Sequence, residues 1–227
     1  MIVAGMAKCS LVDYPGLPAA VLFVPGCNYS CFFCHNRALI DGTYEVLEWD
    51  AVRCFLEKRV GLLDAIVVSG GEPTLQRDLL PRLEELHHLG YRIKVDSNGS
   101  SPAVIAQLLK QGLCDYFAID YKAPATRYQE FCGKNADAQN VRETINLLMD
   151  ASVDFEVRTT VIPSLDENDL IHIAEELPLL PRYVLNPYRI PDSYLPIDEE
   201  RIRAKPHSPA QIESFRALLR SVQPHIC

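Results

Sequence analysis

Residues 20–36 of the chain read AVLFVPGCNYSCFFCHN, a short apolar run followed by a loop that is rich in cysteine. The run Ala20–Val24 predicts a buried β-strand, because it is continuously apolar and ends at a Pro-Gly pair. Cysteines then follow at positions 27, 31 and 34, with three aromatic rings between them. The stretch therefore predicts a strand whose carboxyl end carries a group of thiols.

Five further short apolar runs alternate with segments of helical periodicity along the chain. The predicted strands are Ala20–Val24, Ala65–Val68, Tyr91–Val95, Tyr116–Ile119, Asp154–Val161 and Tyr183–Leu185. The predicted helices are Glu48–Arg59, Arg77–Leu89, Pro102–Gln111, Ala138–Ala151, Glu167–Glu176 and Pro209–Val222. Repeated strand–helix alternation indicates a parallel sheet covered by helices. We expect an α/β fold of the partial (β/α)6 parallel barrel type, with a flat doubly wound sheet as the alternative.

No linker or low-complexity tract divides the chain, so we expect a single domain over residues 1–227. The stretch from Asn186 to Pro209 contains five prolines. We expect residues 190–227 to form a loop and a helix that cover the barrel.

The composition excludes several classes of protein. The net charge of −8 and the pI of about 5.3 argue against broad binding to nucleic acids or anionic membranes. No apolar run approaches the roughly 20 residues of a membrane-spanning helix, and the first residues do not resemble a signal peptide. We therefore expect a cytoplasmic protein with reduced thiols rather than four disulfides.

Five cysteines lie outside the cysteine loop, which begins at Cys27. We interpret them as small buried or half-buried side chains, and the sequence assigns no role to them. They are Cys9, Cys54, Cys114, Cys132 and Cys227.

Glycines and charged residues follow the ends of the other predicted strands. Because the carboxyl ends of parallel strands meet at one edge of a sheet, we expect these residues to form one ligand site. They are SGGEP at 69–73, DSNGS at 96–100, DYKAP at 120–124, Arg158 near the end of the fifth strand, and NPYR at 186–189.

The spacing of Cys27, Cys31 and Cys34 is typical of a metal site. Three thiolates suit a four-iron cluster in which the fourth iron stays open for a ligand. A structural zinc ion would need a fourth protein ligand, and His35 is a poor one because it directly follows Cys34. Iron–sulfur, zinc and inert thiols all remain open on the spacing alone.

The pattern C-x3-C-x-aromatic-C, filled by Cys27, Cys31, Phe33 and Cys34, resembles the signature of radical S-adenosylmethionine (SAM) enzymes. The resemblance implies that the three cysteines hold one [4Fe–4S] cluster and that Phe33 packs beside it. It also implies that SAM binds the open iron and is reductively cleaved to methionine and a 5′-deoxyadenosyl radical that abstracts hydrogen.

Two further segments resemble SAM-binding elements of the same superfamily. Gly70, Gly71 and Glu72 match the segment that binds the amino group of the methionine. Asp96-Ser97-Asn98-Gly99 is similar to an Asp-Thr-Asn-Gly element that lines the SAM pocket of glycyl radical enzyme activases. On the residues alone these segments are a turn and a capped turn.

Asp120-Tyr121-Lys122 resembles an Asp-Leu-Lys element of the same activases, which implies that Lys122 lies near the carboxylate of SAM. Arg158 is a second candidate for a carboxylate of SAM or of the substrate protein, and a structural ion pair is its alternative. The resemblance further implies that Asp96, Ser97 and Asp120 hold a monovalent cation against SAM.

Residues around the first strand indicate the subfamily. Ser10, Asp13, Pro15-Gly16 and His35-Asn36 resemble glycyl radical enzyme activases, most closely those of anaerobic ribonucleoside-triphosphate reductases. The implied partner is such a reductase, which receives a radical on a glycine, and the implied electron donor is a flavodoxin or ferredoxin. The alternatives are a small-molecule radical SAM enzyme similar to 7-carboxy-7-deazaguanine synthase and a non-catalytic zinc module.

Overall fold

The computed structural model describes all residues 1–227, which form seven β-strands and nine α-helices. The strands are β1 Gly5–Ser10, β2 Ala19–Val24, β3 Ala65–Gly70, β4 Arg92–Ser97, β5 Tyr116–Asp120, β6 Asp154–Val161 and β7 Tyr183–Pro187. The helices are α1 Arg37–Asp41, α2 Trp49–Glu57, α3 Leu79–His88, α4 Pro102–Gln111, α5 Tyr128–Cys132, α6 Ala138–Asp150, α7 Glu167–Glu176, α8 Glu199–Ile202 and α9 Pro209–Leu219.

The seven strands form one sheet in the order β1-β2-β3-β4-β5-β6-β7. β2 pairs with β3, β3 with β4, and β6 with β7 in parallel, whereas β1 pairs with β2 antiparallel. The order places β1 and β7 at two open edges, so the sheet is not closed. The predicted α/β fold with a partial parallel barrel is confirmed.

The sequence did not predict β1. Its six residues, GMAKCS, are half-buried or exposed rather than apolar throughout, as an edge strand with one covered face allows. The six predicted strands all form, and β6 has the predicted bounds, Asp154–Val161.

The chain divides into two compact units. Unit 1 comprises Met1–Cys27, Ala38–Ser97 and Ala103–Ala118, and unit 2 comprises Asn28–Arg37, Asn98–Pro102 and Ile119–Cys227. The expectation of a single domain with a covering C-terminal segment stays a prediction.

The core of unit 1 is built on β2 and β3, which are buried on both faces. Alternate residues point to opposite sides of the sheet, so Ala19 and Val21 pack with Ala65 and Val67 in one cluster. Residues Leu83 of α3 and Ile105 of α4 are fully buried as well. Continuous apolar strands of this kind explain why the sequence located β2 and β3 correctly.

In unit 2 two helices begin with a capping box. Asp166 caps α7, and Ser208 caps α9 as a Ser-x-x-Gln motif with Pro209 in the first turn. Such reciprocal bonds satisfy backbone N–H groups that the first helical turn leaves free. α7 therefore has the predicted bounds, and α9 begins at the predicted residue.

The interpretation of the five scattered cysteines as buried or half-buried was wrong for three of them. Cys9, Cys54 and Cys227 are exposed, whereas Cys114 and Cys132 are buried as expected. The error for Cys54 follows from the helix that carries it, since α2 buries only Val52 and Leu56.

None of the helices combines the length and the hydropathy that crossing a bilayer would require.

The ends of β2 and β3 approach each other very closely in unit 1. A Cβ atom on Gly71 would lie 2.0 Å from the carbonyl oxygen of Gly26, and one on Gly70 would lie 2.7 Å from the backbone of Val24. The backbone N–H of Gly71 donates to Val24 O at 2.7 Å, and that of Glu72 donates to Gly26 O at 2.8 Å. The glycine pair is thus required by backbone packing, independently of any ligand.

We expect Gly71→Ala to lower the free energy of unfolding by about 2 kcal/mol or more, because the methyl group would displace the backbone at Gly26. Gly5→Ala is the matched control, since a Cβ at Gly5 meets only the Phe23 ring, at 3.7 Å. Urea unfolding of both variants measures the difference, and equal stabilities would contradict the close approach.

Candidate functional site

Glu72 in unit 1 is a fully buried carboxylate. Its Oε1 accepts hydrogen bonds from the Thr74 backbone N–H at 3.0 Å, the Thr74 hydroxyl at 2.6 Å and the Ser97 hydroxyl at 2.8 Å. These bonds join the turn after β3 to the end of β4. The structure therefore brings Glu72 and Ser97 together, as the sequence predicted for residues that follow neighbouring strands.

Asp96 lies beside this pair on β4 and belongs to a polar cluster of unit 1. Its Oδ2 accepts from the Ser69 hydroxyl at 3.2 Å, and its Oδ1 accepts from the Lys94 ammonium at 2.7 Å. The predicted site residues Gly70, Gly71, Glu72, Asp96 and Ser97 thus share one region of unit 1.

In unit 2 residues 28–36 of the cysteine loop, the segment that begins at Cys27, pack against helix α5. The backbone N–H of Ser30 donates to Cys132 O at 2.8 Å. The rings of Tyr29 and Tyr128 are 6.3 Å apart, and those of Phe32 and Phe131 are 5.9 Å apart. A short helix therefore fixes the loop at three successive points.

The aromatic residues of the loop point into the protein. Tyr29, Phe32 and Phe33 are buried, and Phe33 packs edge-on against Phe32 at 5.2 Å. The guanidinium of Arg201 lies 3.8 Å from the centre of the Phe32 ring, a cation–π contact. Arg201 belongs to the stretch Asn186–Pro209, which contains five prolines. This stretch thus contacts the cysteine loop within unit 2.

Cys31 is buried and Cys34 is half-buried, and the backbone N–H of Cys34 donates to Cys31 O at 3.2 Å. A hydrogen bond from the Cys132 thiol lowers the pKa of Cys31, and the nearby Lys122 ammonium lowers it further against the effect of burial. Burial raises the pKa of Cys34. Of Cys31 and Cys34, Cys31 is therefore the one that the environment favours as a thiolate, the form that binds metal.

Asp120, Lys122 and Arg158 form an ion triad at the end of β5. Asp120 Oδ2 accepts from Lys122 Nζ at 2.7 Å, and Oδ1 accepts from Arg158 Nε at 3.0 Å. Burial acts to raise the pKa of Asp120, but the two cations outweigh it and lower the pKa to about 2. Burial acts to lower the pKa of Lys122, and the Asp120 carboxylate raises it instead. The ion pair that the sequence left as an alternative for Arg158 is present.

Asn98 connects the turn after β4 to the beginning of the cysteine loop in unit 2. Its amide donates to Asn28 Oδ1 at 2.9 Å, and its own carbonyl oxygen accepts from the Ser100 backbone N–H at 2.9 Å. The Asn28 amide in turn donates to the Ser100 hydroxyl at 2.8 Å. Asn98 therefore has a positioning role in the loop.

The predicted site residues fall into two groups, one in each unit. The group in unit 1 consists of Cys27, Gly70, Gly71, Glu72, Asp96 and Ser97. The group in unit 2 consists of Cys31, Phe33, Cys34, Asn98, Asp120, Lys122 and Arg158. The convergence of both groups on one ligand stays a prediction.

Sequence reasoning missed Cys132 and Lys94. Cys132 stands far from the cysteine loop along the chain, and no spacing pattern connects it to Cys31. Lys94 stands between the buried Ile93 and Val95 of β4, and a lysine there was a signal that could have been used, because lysine is seldom fully buried without a partner.

The thiols of the cysteine loop are of the chemical type that an iron–sulfur cluster takes, whereas no three His, Cys, Asp or Glu side chains are close enough together in this structure to hold a metal ion. Soft thiolates are the ligands that such clusters take. The lowered pKa of Cys31 and the nearby Lys122 ammonium favour the thiolate that such a cluster needs, and the buried aromatic rings limit solvent access to it.

Comparison with known proteins identifies the superfamily of this arrangement. Residues 21–177 match the model of the Radical SAM superfamily. Over 205 residues, 88% of the chain, it is 34% identical to a Methanocaldococcus jannaschii protein that is provisionally named a glycyl-radical enzyme activating enzyme, of which it covers 83%.

A second relative has a different name. The chain is 28% identical over 149 residues to the 7-carboxy-7-deazaguanine synthase of Koribacter versatilis, a match that covers 63% of the chain and 62% of that enzyme.

Among solved structures, SuiB of Streptococcus suis bound to S-adenosylmethionine superimposes with a TM-score of 0.64 at 14% identity. The match covers 88% of the chain and 48% of SuiB, so the chain spans about half of that protein. At this identity the likeness concerns the fold alone.

We expect Asp120→Asn to lower the free energy of unfolding at pH 7, because it removes the charge that Lys122 and Arg158 bind. The pKa of Asp120 is about 2, below the usual value of about 3.9 for an unfolded chain. Its contribution is therefore complete above about pH 4 and is lost as the pH falls towards 2.

The difference between the wild type and the Asp120→Asn variant should accordingly shrink over this range. Urea unfolding between pH 2 and 5 measures it. Asp154→Asn, at an exposed position at the start of β6, is the control and should differ from the wild type by less than about 0.5 kcal/mol throughout. A difference for Asp120→Asn that is independent of pH would contradict the triad.

Proposed function

The chain belongs to the radical SAM superfamily, and from this we propose that it is a glycyl radical enzyme activase. The 34% identity to the archaeal activating enzyme over 88% of the chain is the observation that carries the proposal. We further propose that the partner is an anaerobic ribonucleoside-triphosphate reductase, which the motifs around Ser10, Asp13 and Pro15-Gly16 favour.

Membership of the superfamily implies a [4Fe–4S] cluster and SAM. When bound, they supply the one-electron chemistry that produces a hydrogen-abstracting radical. We assign Cys27, Cys31 and Cys34 as the cluster ligands. The lowered pKa of Cys31 and the burial of Phe33 beside the loop support this assignment.

The SAM contacts follow from the charges in each unit. We propose that Gly70, Gly71 and the buried carboxylate of Glu72 receive the methionine ammonium, a charge that Glu72 complements. We propose that Lys122 and Arg158 face the methionine carboxylate, because in their triad two cations share one internal carboxylate, Asp120.

Three polar residues at the carboxyl end of β4 are the remaining SAM contacts that we propose. They are Asp96, Ser97 and Asn98, whose side chains are fixed by bonds to Ser69, Glu72 and Asn28. The resemblance places a monovalent cation at Asp96, Ser97 and Asp120, and the ion pairs of the two carboxylates argue against it.

We propose that residues 1–227 act as one catalytic domain in the cytoplasm and that a flavodoxin or ferredoxin supplies the electron. The partner would carry the product, a radical at the Cα of one glycine.

A small-molecule radical SAM reaction is the second candidate. The 28% identity to the Koribacter synthase over 63% of the chain favours it. It differs from the activase in one measurable respect, since it would consume a small substrate repeatedly and need no protein partner.

We expect the reduced, anaerobically reconstituted protein to generate a glycyl radical on a purified anaerobic ribonucleoside-triphosphate reductase when SAM is added. EPR spectroscopy of the reductase detects the radical by the doublet that the remaining glycine α-hydrogen produces. Cys27→Ala, Cys31→Ala and Cys34→Ala should each abolish the signal, because each removes a cluster ligand.

Cys54→Ala is the matched control, because Cys54 is exposed on α2 and lies outside the loop. It should retain the full signal. A radical of equal size in Cys31→Ala would refute the ligand assignment. Turnover of SAM with a small substrate, and no radical on the reductase, would favour the second candidate.

A further inference from the structure

Lys94 is a buried lysine that the proposed chemistry has not used. It lies on β4 of unit 1 with 2% of its surface exposed, on the same side of the strand as Asp96. Its ammonium donates to Asp96 Oδ1 at 2.7 Å and to the carbonyl oxygen of Asp13 at 2.8 Å. It also lies 6.0 Å from the centre of the Tyr116 ring. These three contacts therefore hold the Lys94 ammonium in one position.

The Lys94 ammonium is itself a cation, and it binds the carboxylate of Asp96 directly. One carboxylate oxygen of Asp96 accepts from Lys94, and the other accepts from the Ser69 hydroxyl at 3.2 Å. Alkali cations in proteins are held by oxygen ligands, preferably charged ones. An Asp96 that already binds an ammonium is a weaker ligand for a second cation, because the two positive charges repel each other.

The same arrangement recurs in unit 2 at the other carboxylate that the sequence assigned to a monovalent cation. Both oxygens of Asp120 accept from cationic side chains, Lys122 at 2.7 Å and Arg158 at 3.0 Å. Within each unit, therefore, the carboxylate predicted to hold the cation is already neutralised by side chains of this chain.

We propose that Lys94 is a built-in cation that replaces a bound monovalent ion, so that SAM binding requires neither K⁺ nor Na⁺. The proposal rests on the function proposed above, since it concerns the SAM site. Lys94 is a positioning residue in this account: it holds the Asp96 carboxylate and the Asp13 backbone in place and touches no substrate.

The first test exchanges the salt around the wild-type protein. The anaerobically reconstituted protein is titrated with SAM by calorimetry in KCl, NaCl or tetramethylammonium chloride at one ionic strength. We expect dissociation constants that agree within about twofold, well below the tenfold change that corresponds to one charge-assisted bond.

The second test removes the charge. Lys94→Met preserves the length and the apolar stem of the side chain, and we expect it to bind SAM about tenfold more weakly in tetramethylammonium chloride. K⁺ or Na⁺ should restore part of this affinity and raise the unfolding temperature of the variant. Lys110→Met is the matched control, because Lys110 is exposed in the last turn of α4, and it should behave as the wild type does.

Each outcome decides the proposal. Wild-type affinity that depends on K⁺ or Na⁺ by tenfold or more would overturn it and leave the proposed function intact. Wild-type affinity for Lys94→Met in tetramethylammonium chloride would also overturn it. Absence of SAM binding in every salt would overturn the proposed function and this inference with it. If Lys94→Met does not fold, the salt exchange on the wild type decides alone.

Discussion

The close approach of β2 and β3 at their carboxyl ends is the constraint on which the rest of the structure depends. Gly71 lies against the carbonyl group of Gly26, and the Glu72 N–H donates to that same carbonyl oxygen. Since Gly26 precedes Cys27 directly, one backbone contact fixes both the start of the cysteine loop and the buried carboxylate of Glu72. A side chain at Gly71 would separate these groups, and one at Gly70 would meet the Val24 backbone, so the chemistry of unit 1 depends on the absence of these two Cβ atoms.

The carboxylates of Asp96 and Asp120 are each paired with cationic side chains of the same unit. Lys94 binds Asp96, and Asp120 is shared by Lys122 and Arg158. Such partners offset part of the cost of burying a charge, and pairing also fixes the orientation of each carboxylate before any ligand arrives. The proposed SAM site would then need little reorganisation on binding, which is the physical advantage of preorganised polar groups.

The sequence predicts those parts of the molecule that depend on local pattern. The strands that are buried on both faces are continuous apolar runs, so β2 and β3 could be located from composition, and the helical periodicity from Pro209 onwards located the start of α9. The half-exposed edge strand β1 has no such pattern. Contacts between residues far apart in the chain were equally inaccessible, as for Cys132 beside Cys31. For the glycine pair, the motif was recognised but its packing role became visible only with the approach of β2.

The measurement that tests the account most directly is the EPR spectrum of the reduced protein, reconstituted anaerobically with iron and sulfide, with and without SAM. The account predicts a four-iron signal that shifts when SAM is added, because three cysteines leave one iron open for it. A protein that assembles no cluster, binds zinc instead, or gives a signal indifferent to SAM would contradict it.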